Sequence, residues 1–323
     1  MEVVVKAQSL TKQYANVLAV DHIDLEVFEG EIFGLLGPNG AGKTSTIRML
    51  TGQTTPTSGT ATVANHDIIH EPTKAKQQIG VIPDISNIYD EMSAWDNLIF
   101  AAQLYSVPKT EREKRAKELL ELFGLYERRK DRVANFSRGM KRRLTIAAAL
   151  IHKPKLLFLD EPTTGLDVQS LRMIRNLIKE LNNDGVTIFL TTHYIEEADQ
   201  LCQRIAIINK GKIVTVDNPQ KLKALIEERQ VIEVSFTMSR DLEDKLRGLS
   251  CVSDVSMLGD KCRLHVDDAS EAVPSLVDFA RKNNLKIISI NTLKPSLEDA
   301  FIKLTGLSPE IMKTEKDPLK KKE

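Results

Sequence analysis

The chain has 323 residues, and 41% of them are hydrophobic, so it is long enough to form a large domain and a smaller one. Lysine and arginine together number 45, as do aspartate and glutamate, and the resulting net charge of zero argues against nucleic acid as the main partner, which normally requires a basic face. The three cysteines are scattered without CxxC spacing, a pattern that predicts reduced thiols and argues against a disulfide framework or a zinc site.

Residues 1–220 are predicted to form a mostly parallel sheet covered by helices, because predicted strands and helices alternate along much of this range. Between about residues 93 and 150 the composition changes to long charged helical segments, which predict a helical insertion. The predicted strands are Val3–Val5, Leu18–Val20, Ile23–Phe28, Ile32–Leu36, Leu156–Leu159, Val186–Leu190, Ile205–Ile208 and Ile213–Val216. The predicted helices are one that ends at Leu50, Thr110–Phe123, Ser137–Ile151, one that begins after Asp167, and Ile195–Leu201.

Residues 221–308 are predicted to form a compact α+β accessory domain after a boundary at Asn218-Pro219. Ser296 is predicted to cap the last helix, since Asp299 follows it at capping-box spacing. Residues 309–323 are predicted to be a disordered charged tail. The predicted elements of the accessory domain are helix Lys221–Glu228, strand Val231–Phe236, helix Leu242–Gly248, strands Val252–Met257 and Cys262–Val266, helix Ala272–Asn283 and strand Lys286–Ile290.

A glycine-rich loop between an apolar strand and a helix carries the first chemical signal, since it fits the pattern GxxxxGK[ST]. Its glycines let backbone N–H groups approach phosphate oxygens, and the start of the helix adds the positive end of its dipole. Lys43 is expected to reach the β- and γ-phosphates of a nucleotide, and the Thr44 hydroxyl is expected to bind Mg²⁺. The residues predicted to bind the nucleotide here are Gly37, Pro38, Asn39, Gly40, Ala41, Gly42, Lys43, Thr44 and Ser45.

Two other classes of P-loop protein fit the sequence less well. A GTPase would carry an Asn-Lys-x-Asp string, and the nearest match, Asn209–Lys212, lacks the aspartate that pairs with guanine. A small-molecule kinase would not need the three further sequence elements described below.

The apolar strand Leu156–Leu159 ends in two acids, Asp160 and Glu161, and Pro162–Asp167 follows them. Asp160 is expected to orient the Mg²⁺ shell, and Glu161 is expected to polarise the attacking water. Most adjacent acids are merely solvated, but the apolar strand before this pair and the string after it make the pattern specific.

With these motifs, the chain resembles the ABC ATPase family over about residues 3–220. The family's signature, usually LSGGQ, corresponds to Phe136–Met140, although Arg138 and Met140 depart from the consensus. The resemblance implies that Ser137 and Gly139 present a hydroxyl and an amide to the γ-phosphate bound by a partner subunit.

Further site residues follow from the same resemblance. His193 occupies the switch-histidine position, where imidazole hydrogen-bonds the γ-phosphate, and Asp167 matches the acidic residue of the D-loop. Tyr14 matches the aromatic residue that stacks on adenine. Where the family usually has the glutamine of the Q-loop, this chain has Asp84, which is expected to offer an oxygen towards Mg²⁺ or the water.

The resemblance implies an α/β fold: a RecA-like P-loop NTPase core with an antiparallel β subdomain and the helical insertion, plus the small C-terminal α+β domain. Residues Ser296–Gly306 resemble the end of the C-terminal extension of drug-resistance-type ATPases, whose permeases belong to the ABC-2 group. The helical insertion normally docks the membrane partner.

The function implied is an ATP-binding and ATP-hydrolysing subunit that powers an ABC-2-type exporter by head-to-tail dimerisation, with ATP and Mg²⁺, on the cytoplasmic face of the cell membrane. A separate permease is expected to hold it there, because no apolar run in the sequence could span a bilayer and the first residues lack the apolar stretch of a signal peptide. Whether the partner ATPase is identical stays open, as does the substrate, and no nucleic-acid partner is expected.

Two alternatives belong to other classes. A non-transport ABC ATPase would act on a soluble assembly or regulatory partner, but such relatives usually carry two ABC units or a long coiled coil, and the sequence has neither. A P-loop enzyme acting on a small substrate would need an acceptor pocket for which no motif is present.

Overall fold

A computed structural model of the chain describes residues 2–225, 230–237, 242–258, 261–293 and 296–307. They divide into two compact units, one that ends at Asn218 and one that spans Pro219–Leu307. No helix within the described ranges is long and apolar enough to cross a membrane.

The first unit contains ten strands and seven α-helices among its described residues. The strands are β1 (Val3–Tyr14), β2 (Val17–Phe28), β3 (Ile32–Leu36), β4 (Ser58–Val63), β5 (His66–Asp67), β6 (Ile79–Ile82), β7 (Leu156–Asp160), β8 (Thr187–Thr192), β9 (Arg204–Asn209) and β10 (Lys212–Asp217). The helices are α1 (Lys43–Leu50), α2 (Pro72–Gln78), α3 (Ala94–Leu104), α4 (Lys109–Leu122), α5 (Arg138–Leu150), α6 (Val168–Asn183) and α7 (Ile195–Leu201).

A six-stranded sheet in the order β10-β9-β3-β8-β7-β6 forms the centre of this unit. Every neighbouring pair is parallel except β10 and β9, which confirms the predicted mostly parallel sheet. Strands β3, β7 and β8 are buried at every position, as expected of parallel strands covered on both faces. Leu36 pairs with Thr192 and Asp160 pairs with Thr191, so the segments after these three strands begin at one edge of the sheet.

A second, antiparallel sheet in the order β2-β1-β4-β5 confirms the predicted antiparallel β subdomain. The prediction of a short strand at Val3–Val5 was wrong in length, because β1 continues to Tyr14 through register shifts that interrupt its alternation. Ser9, whose φ is +47°, lies within the shift between Ala7 and Leu10, and a Cβ on Gly59 would lie 2.1 Å from the Ser9 carbonyl oxygen. Only glycine allows the chains to approach this closely. Strands β4, β5 and β6 and helix α2 were not predicted.

The stretch between β6 and β7 is helical, as predicted, with α3, α4 and α5 as its main elements. The Ser93 hydroxyl caps α3 by accepting the Asp96 N–H at 3.1 Å. Helix α4 is charged over most of its surface and buries only Ala116 and Leu120. A helix this polar is stabilised by a narrow apolar stripe and by pairs of opposite charge along its exposed face.

The second unit contains an antiparallel sheet in the order β12-β13-β11-β14. Its elements are α8 (Pro219–Ala224), β11 (Gln230–Phe236), α9 (Leu242–Arg247), β12 (Val252–Leu258), β13 (Lys261–Val266), α10 (Ala269–Lys282), β14 (Ile287–Leu293) and α11 (Leu297–Thr305). The predicted cap of the last helix is confirmed: Ser296 Oγ accepts the Asp299 N–H at 3.1 Å, and Asp299 Oδ2 accepts the Ser296 N–H at 2.9 Å. The end of the predicted helix Lys221–Glu228 and the predicted tail 309–323 lie outside the described residues.

Candidate functional site

The loop between β3 and α1 requires glycine at two of its positions. A Cβ on Gly37 would lie 2.3 Å from the Ile208 carbonyl oxygen, and one on Gly42 would lie 2.5 Å from that of Ala19. Gly42 also has a φ of +107° and caps α1 without any side-chain hydrogen bond, so no side chain covers the first N–H groups of the helix. These are the features of a backbone anion site at a helix start.

Lys43, the first residue of α1, is buried with 4% of its side chain exposed. Its Nζ donates to the carbonyl oxygens of Gly37 at 2.9 Å and Pro38 at 3.0 Å, and it lies 3.2 Å from Glu161 Oε1. Burial lowers the pKa of the Lys43 ammonium, and the negative charges of Glu161 and Asp160 oppose that shift. The lysine therefore joins the glycine-rich loop to the acidic end of β7.

Asp160 lies at the end of β7 and is 4% exposed. Its Oδ1 accepts hydrogen bonds from Thr191 Oγ1 at 2.6 Å and from Thr44 Oγ1 at 3.3 Å. A cavity of about 150 Å³ opens beside these groups, and Thr44, Arg48, Gln53, Pro83, Asp84 and Asp160 are among the residues that line it.

These groups fit a magnesium ion. Within the described part of the chain, no three His, Cys, Asp or Glu side chains form a metal cage. Mg²⁺ in nucleotide sites, however, is held by one or two protein oxygens together with phosphates, and the Thr44 hydroxyl and the carboxylates of Asp160 and Asp84 are oxygens of the preferred kind.

Glu161 follows β7 in a left-handed conformation, with a φ of +46°, and its N–H lies 3.1 Å from Thr191 Oγ1. Its Oε2 lies 3.1 Å from His193 Nδ1, and it accepts a hydrogen bond from Thr164 Oγ1 at 3.1 Å. Burial alone would raise the pKa of the Glu161 carboxyl. The contacts with His193 and Lys43 outweigh burial and lower this pKa to about 2.

Asp84 lies after β6 and reaches the same cavity, although its side chain is partly exposed to solvent. Burial of the carboxyl raises the pKa of Asp84, and the negative charges of Glu161 and Asp160 raise it further. A divalent cation between these acids would relieve that repulsion. Asp84 and Asp160 thus line one cavity, and the role predicted for Asp84, an oxygen offered towards Mg²⁺ or the water, stays a prediction.

The signature residues lie at the start of α5. Ser137 is exposed and its Oγ accepts the Met140 N–H at 3.2 Å, so it caps the helix. Gly139 is buried, and a Cβ there would lie 2.4 Å from Ser170 Oγ at the start of α6. Among the hydrogen bonds and ion pairs of the described residues, none joins Ser137 or Gly139 to Lys43 or Thr44.

Two other predicted residues lie at the edges of the unit. Tyr14 ends β1 with 41% of the residue exposed, and Lys12 Nζ lies 5.1 Å from the centre of its ring. Asp167 caps α6, since its carboxylate accepts from Ser170 N–H at 2.8 Å and from Ser170 Oγ at 2.7 Å, and these bonds lower its pKa. Both positions leave the side chain accessible from outside the chain.

The sequence reasoning missed three residues of this region. Thr191 bonds Asp160, and Glu197, which is fully buried, accepts a hydrogen bond from Thr163 Oγ1 at 2.6 Å. Arg142 donates to carbonyls on both sides of the acidic cluster. Arg142 sits in the basic run 141–143, where nothing in the sequence distinguishes a buried arginine from a solvated one.

Two family models and several known proteins are similar to this chain. Residues 20–164 match the family model described as "ABC transporter", and residues 218–305 match the one described as "ATP-binding protein DrrA1-3-like, C-terminal domain". The linearmycin resistance ATP-binding protein LnrL of Bacillus subtilis is 38% identical over 93% of this chain and 98% of its own length. The daunorubicin/doxorubicin resistance ATP-binding protein DrrA of Streptomyces peucetius is 34% identical over 96% of this chain and 95% of its own length.

Solved structures are similar as well. The ATP-binding subunit of an ABC transporter matches with a TM-score of 0.63 and 27% identity, over 69% of this chain and 92% of that one. A dimeric ATP-binding cassette in a post-hydrolysis state, bound to ADP and Pi, matches with a TM-score of 0.61 and 28% identity, over 66% of this chain and 98% of that one.

Proposed function

The chain belongs to the ATP-binding proteins of ABC transporters, and on that premise we propose that it powers an exporter by closing head to tail on Mg²⁺-ATP with a second ATP-binding subunit. It is an ATPase that binds ATP and drives a transporter, as the sequence predicted. The relatives compared above are named for resistance to drugs or antibiotics, which favours export over the alternative of a soluble assembly or regulatory partner.

The observation that carries the proposed mechanism is the convergence of Lys43, Asp160, Glu161 and His193 at one edge of the parallel sheet. The loop amides and Lys43 bind the phosphates, and Tyr14 stacks on the base. Glu161 orients the attacking water and accepts its proton, while His193 holds Glu161 and contacts the γ-phosphate.

Thr44, Asp160 and Asp84 would hold Mg²⁺, which neutralises charge on the phosphate oxygens during phosphoryl transfer. The exposed hydroxyl of Ser137 serves the nucleotide of the partner subunit, because it lies at a helix start that is open to an anion from outside the chain. A head-to-tail arrangement would bring Ser137 of one subunit to the nucleotide held by Lys43 of the other.

Complementation between inactive subunits tests this arrangement. Each proposed site consists of the glycine-rich loop of one subunit and the start of α5 of the other. Lys43→Ala inactivates the first half, and Ser137→Asp inactivates the second half while keeping a side chain that can cap α5. Each variant alone should be inactive. An equal mixture should recover about a quarter of the unmodified rate, because random pairing makes half of the dimers mixed and each mixed dimer keeps one of its two sites. A mixture without activity would contradict head-to-tail sites between two copies of this chain.

The helical stretch from α3 to α5 is proposed to bind the permease, which would hold the chain at the cytoplasmic face of the membrane. It contains an apolar groove of about 190 Å³, lined in part by Tyr89, Phe100, Leu104 and Tyr105. Tyr89 and Leu104 are 53% and 67% exposed. Exposed apolar side chains around a groove are typical of a protein-binding surface. No nucleic-acid partner is proposed.

A further inference from the structure

The side chain of Arg142 engages all five of its N–H donors with backbone carbonyls. Arg142 belongs to α5 and only 6% of it is exposed. Its acceptors are the carbonyl oxygens of Pro83, Asp84 (3.4 Å), Asp160 (3.0 Å), Glu161 (3.1 Å) and Pro162 (2.9 Å). The planar guanidinium is thereby fixed in place by the backbone on two sides.

The five carbonyls belong to two segments that carry the acids of the site. Three follow or end β7, where Asp160 and Glu161 lie, and two follow β6, where Asp84 lies. Glu161 has a positive φ, a conformation that costs free energy in a non-glycine residue and persists only when its surroundings hold it. The hydrogen bonds from Arg142 are part of what holds it.

Arg142 also lies about one and a half helical turns from Ser137, the residue that caps the same helix. The side chain of Arg142 therefore connects the start of α5, which is proposed to face a partner subunit, with Glu161, the proposed base of the same chain. Packing alone does not explain the arrangement, because a methionine or leucine could fill the same space without the cost of burying a charge.

We propose that Arg142 is a positioning residue that fixes Glu161 and Asp84 relative to α5, so that contact of the partner's nucleotide with the start of α5 is transmitted to the base of the same chain. This inference rests on the proposed roles of Glu161 and Ser137. It adds a route by which closure at one nucleotide affects hydrolysis at the other.

Arg142→Met tests the proposal, with Arg143→Met as the matched control. Arg143 is the next residue of α5, and its Nη1 donates to the Phe123 carbonyl at 2.8 Å, away from the site. We expect Arg142→Met to lower kcat by about a hundredfold, the loss typical of reacting groups displaced by about 1 Å, with the KM for ATP and ATP affinity unchanged. Arg143→Met should keep its kcat. All variants are assayed well below their unfolding midpoints.

Arg142→Lys keeps the charge but offers three donors from a single atom, so its kcat should fall between those of the unmodified protein and Arg142→Met. A kcat for Arg142→Met equal to that of Arg143→Met would overturn the proposal, as would a parallel loss of ATP affinity. If both Arg142 variants fail to fold while Arg143→Met folds, the residue serves folding and the proposal is wrong.

Glu161→Gln, measured alongside, separates this inference from the proposed function. Lost turnover in Glu161→Gln with normal turnover in Arg142→Met would overturn only the inference. Normal turnover in Glu161→Gln would overturn the role of the base, and with it the role of Arg142.

Discussion

Lys43 and Glu161 form a buried ion pair, in which Nζ lies 3.2 Å from Oε1 and the side chains are 4% and 13% exposed. Because Lys43 also donates to two carbonyls of the phosphate-binding loop, the group expected to bind the γ-phosphate and the group expected to activate water are in direct contact. With a pKa of about 2, Glu161 is a weak base in this arrangement. A γ-phosphate that shares the ammonium would free the carboxylate and raise its basicity.

The first prediction concerns the lysine of this pair. Lys43→Ala should abolish ATP binding, because the phosphates lose their main side-chain charge, while the chain stays folded. A titration with a fluorescent ATP analogue measures the affinity, and circular dichroism checks folding. Lys74→Ala, which removes an exposed lysine paired with Glu71, is the control and should bind as before. Affinity in Lys43→Ala equal to the control would contradict the assignment of the loop.

The second prediction concerns the signature helix. Gly139→Asp should bind ATP as a monomer but lose hydrolysis, because it places a negative charge at the helix start proposed to meet the partner's γ-phosphate, at a cost of several kcal/mol in a partly dry site. The structure adds a second effect, since any Cβ at position 139 would press on Ser170. Overpacking of this kind costs about 1–3 kcal/mol.

The double variant Gly139→Asp/Ser170→Gly separates the two effects. Thermal unfolding should show that its stability recovers towards that of Ser170→Gly alone, while ATP hydrolysis stays lost. Recovery of hydrolysis together with stability would mean that the clash, and not the charge, inactivated the single variant.

Much of this site could be predicted because its residues follow apolar strands. The carboxyl ends of parallel strands meet at one sheet edge, so the residues after β3, β7 and β8 had to lie near one another. The helices α5 and α7 were predicted to within about a residue at each end, since their N-terminal signals and apolar periodicity agree.

The strand and the buried charged residues that were not predicted depend on long-range contacts, which leave no local signal in the sequence. Strand β4 contains Gly59 and alternating small polar residues, and its place in the sheet comes from its pairing with β1. Arg142 and Glu197 are charged residues on helices, which are exposed in most proteins. Arg142 can be buried because its side chain donates to backbone carbonyls of another segment, and Glu197 can be buried because it accepts a hydrogen bond from Thr163. Only the folded chain brings these partners together.

A third prediction uses the raised pKa of Asp84. Because this pKa lies above the ordinary 3.8, ionisation of Asp84 destabilises the folded state. That cost is absent below pH 3.8 and complete once the pH exceeds the folded-state pKa. Asp84→Asn should therefore unfold at a higher temperature than the unmodified protein at pH 7, and the difference should vanish as the pH falls towards 3.8. A difference independent of pH would show that this carboxyl is not the cause.

Asp84 should also affect turnover. Asp84→Gln should be tolerated, because its amide oxygen can still face Mg²⁺ or the water, and Asp84→Ala should slow hydrolysis with little change in ATP affinity. Steady-state ATPase rates over a range of Mg²⁺ concentrations measure both effects. Full activity in Asp84→Ala would leave Asp84 without a role in the reaction.

The fourth prediction concerns the groove for the permease. Leu104→Asp should keep the ATPase activity of the isolated chain but lose attachment to membranes, because a carboxylate in an apolar interface must be desolvated. Leu122→Asp is the matched control: Leu122 is 58% exposed and does not line the groove. Tagged variants expressed in the native cells are followed by membrane fractionation. Equal membrane fractions for the two variants would place the permease contact elsewhere.

The last prediction concerns Glu161 itself. Glu161→Gln keeps the shape of the side chain but removes its charge and basicity, so turnover should fall by about a hundredfold or more, as is typical for the loss of a general base. ATP should bind at least as well as before, because the amide does not repel the γ-phosphate. The two subunits should then stay closed on ATP and Mg²⁺ as a stable dimer, which size-exclusion chromatography with and without nucleotide measures. Glu196→Gln makes the same change at an exposed position on α7; it is the control and should hydrolyse ATP normally.

The ion pair with Lys43 adds a pH dependence to the same variant. The pKa of Glu161 falls from 4.5 to about 2 on folding, so its charge stabilises the folded protein above pH 4.5, and this contribution is lost as the pH falls towards 2. Without nucleotide, Glu161→Gln should therefore be less stable than the unmodified protein at pH 7, and the gap should narrow between pH 4.5 and 2. Bound ATP gives Lys43 a new anionic partner, so at pH 7 it should raise the unfolding temperature of Glu161→Gln more than that of the unmodified protein. The mechanism requires that a variant without the Glu161 carboxylate binds ATP, forms the closed dimer and fails to hydrolyse the nucleotide. Hydrolysis at the original rate, or the absence of a dimer with ATP and Mg²⁺, would therefore contradict the role of Glu161 as the base.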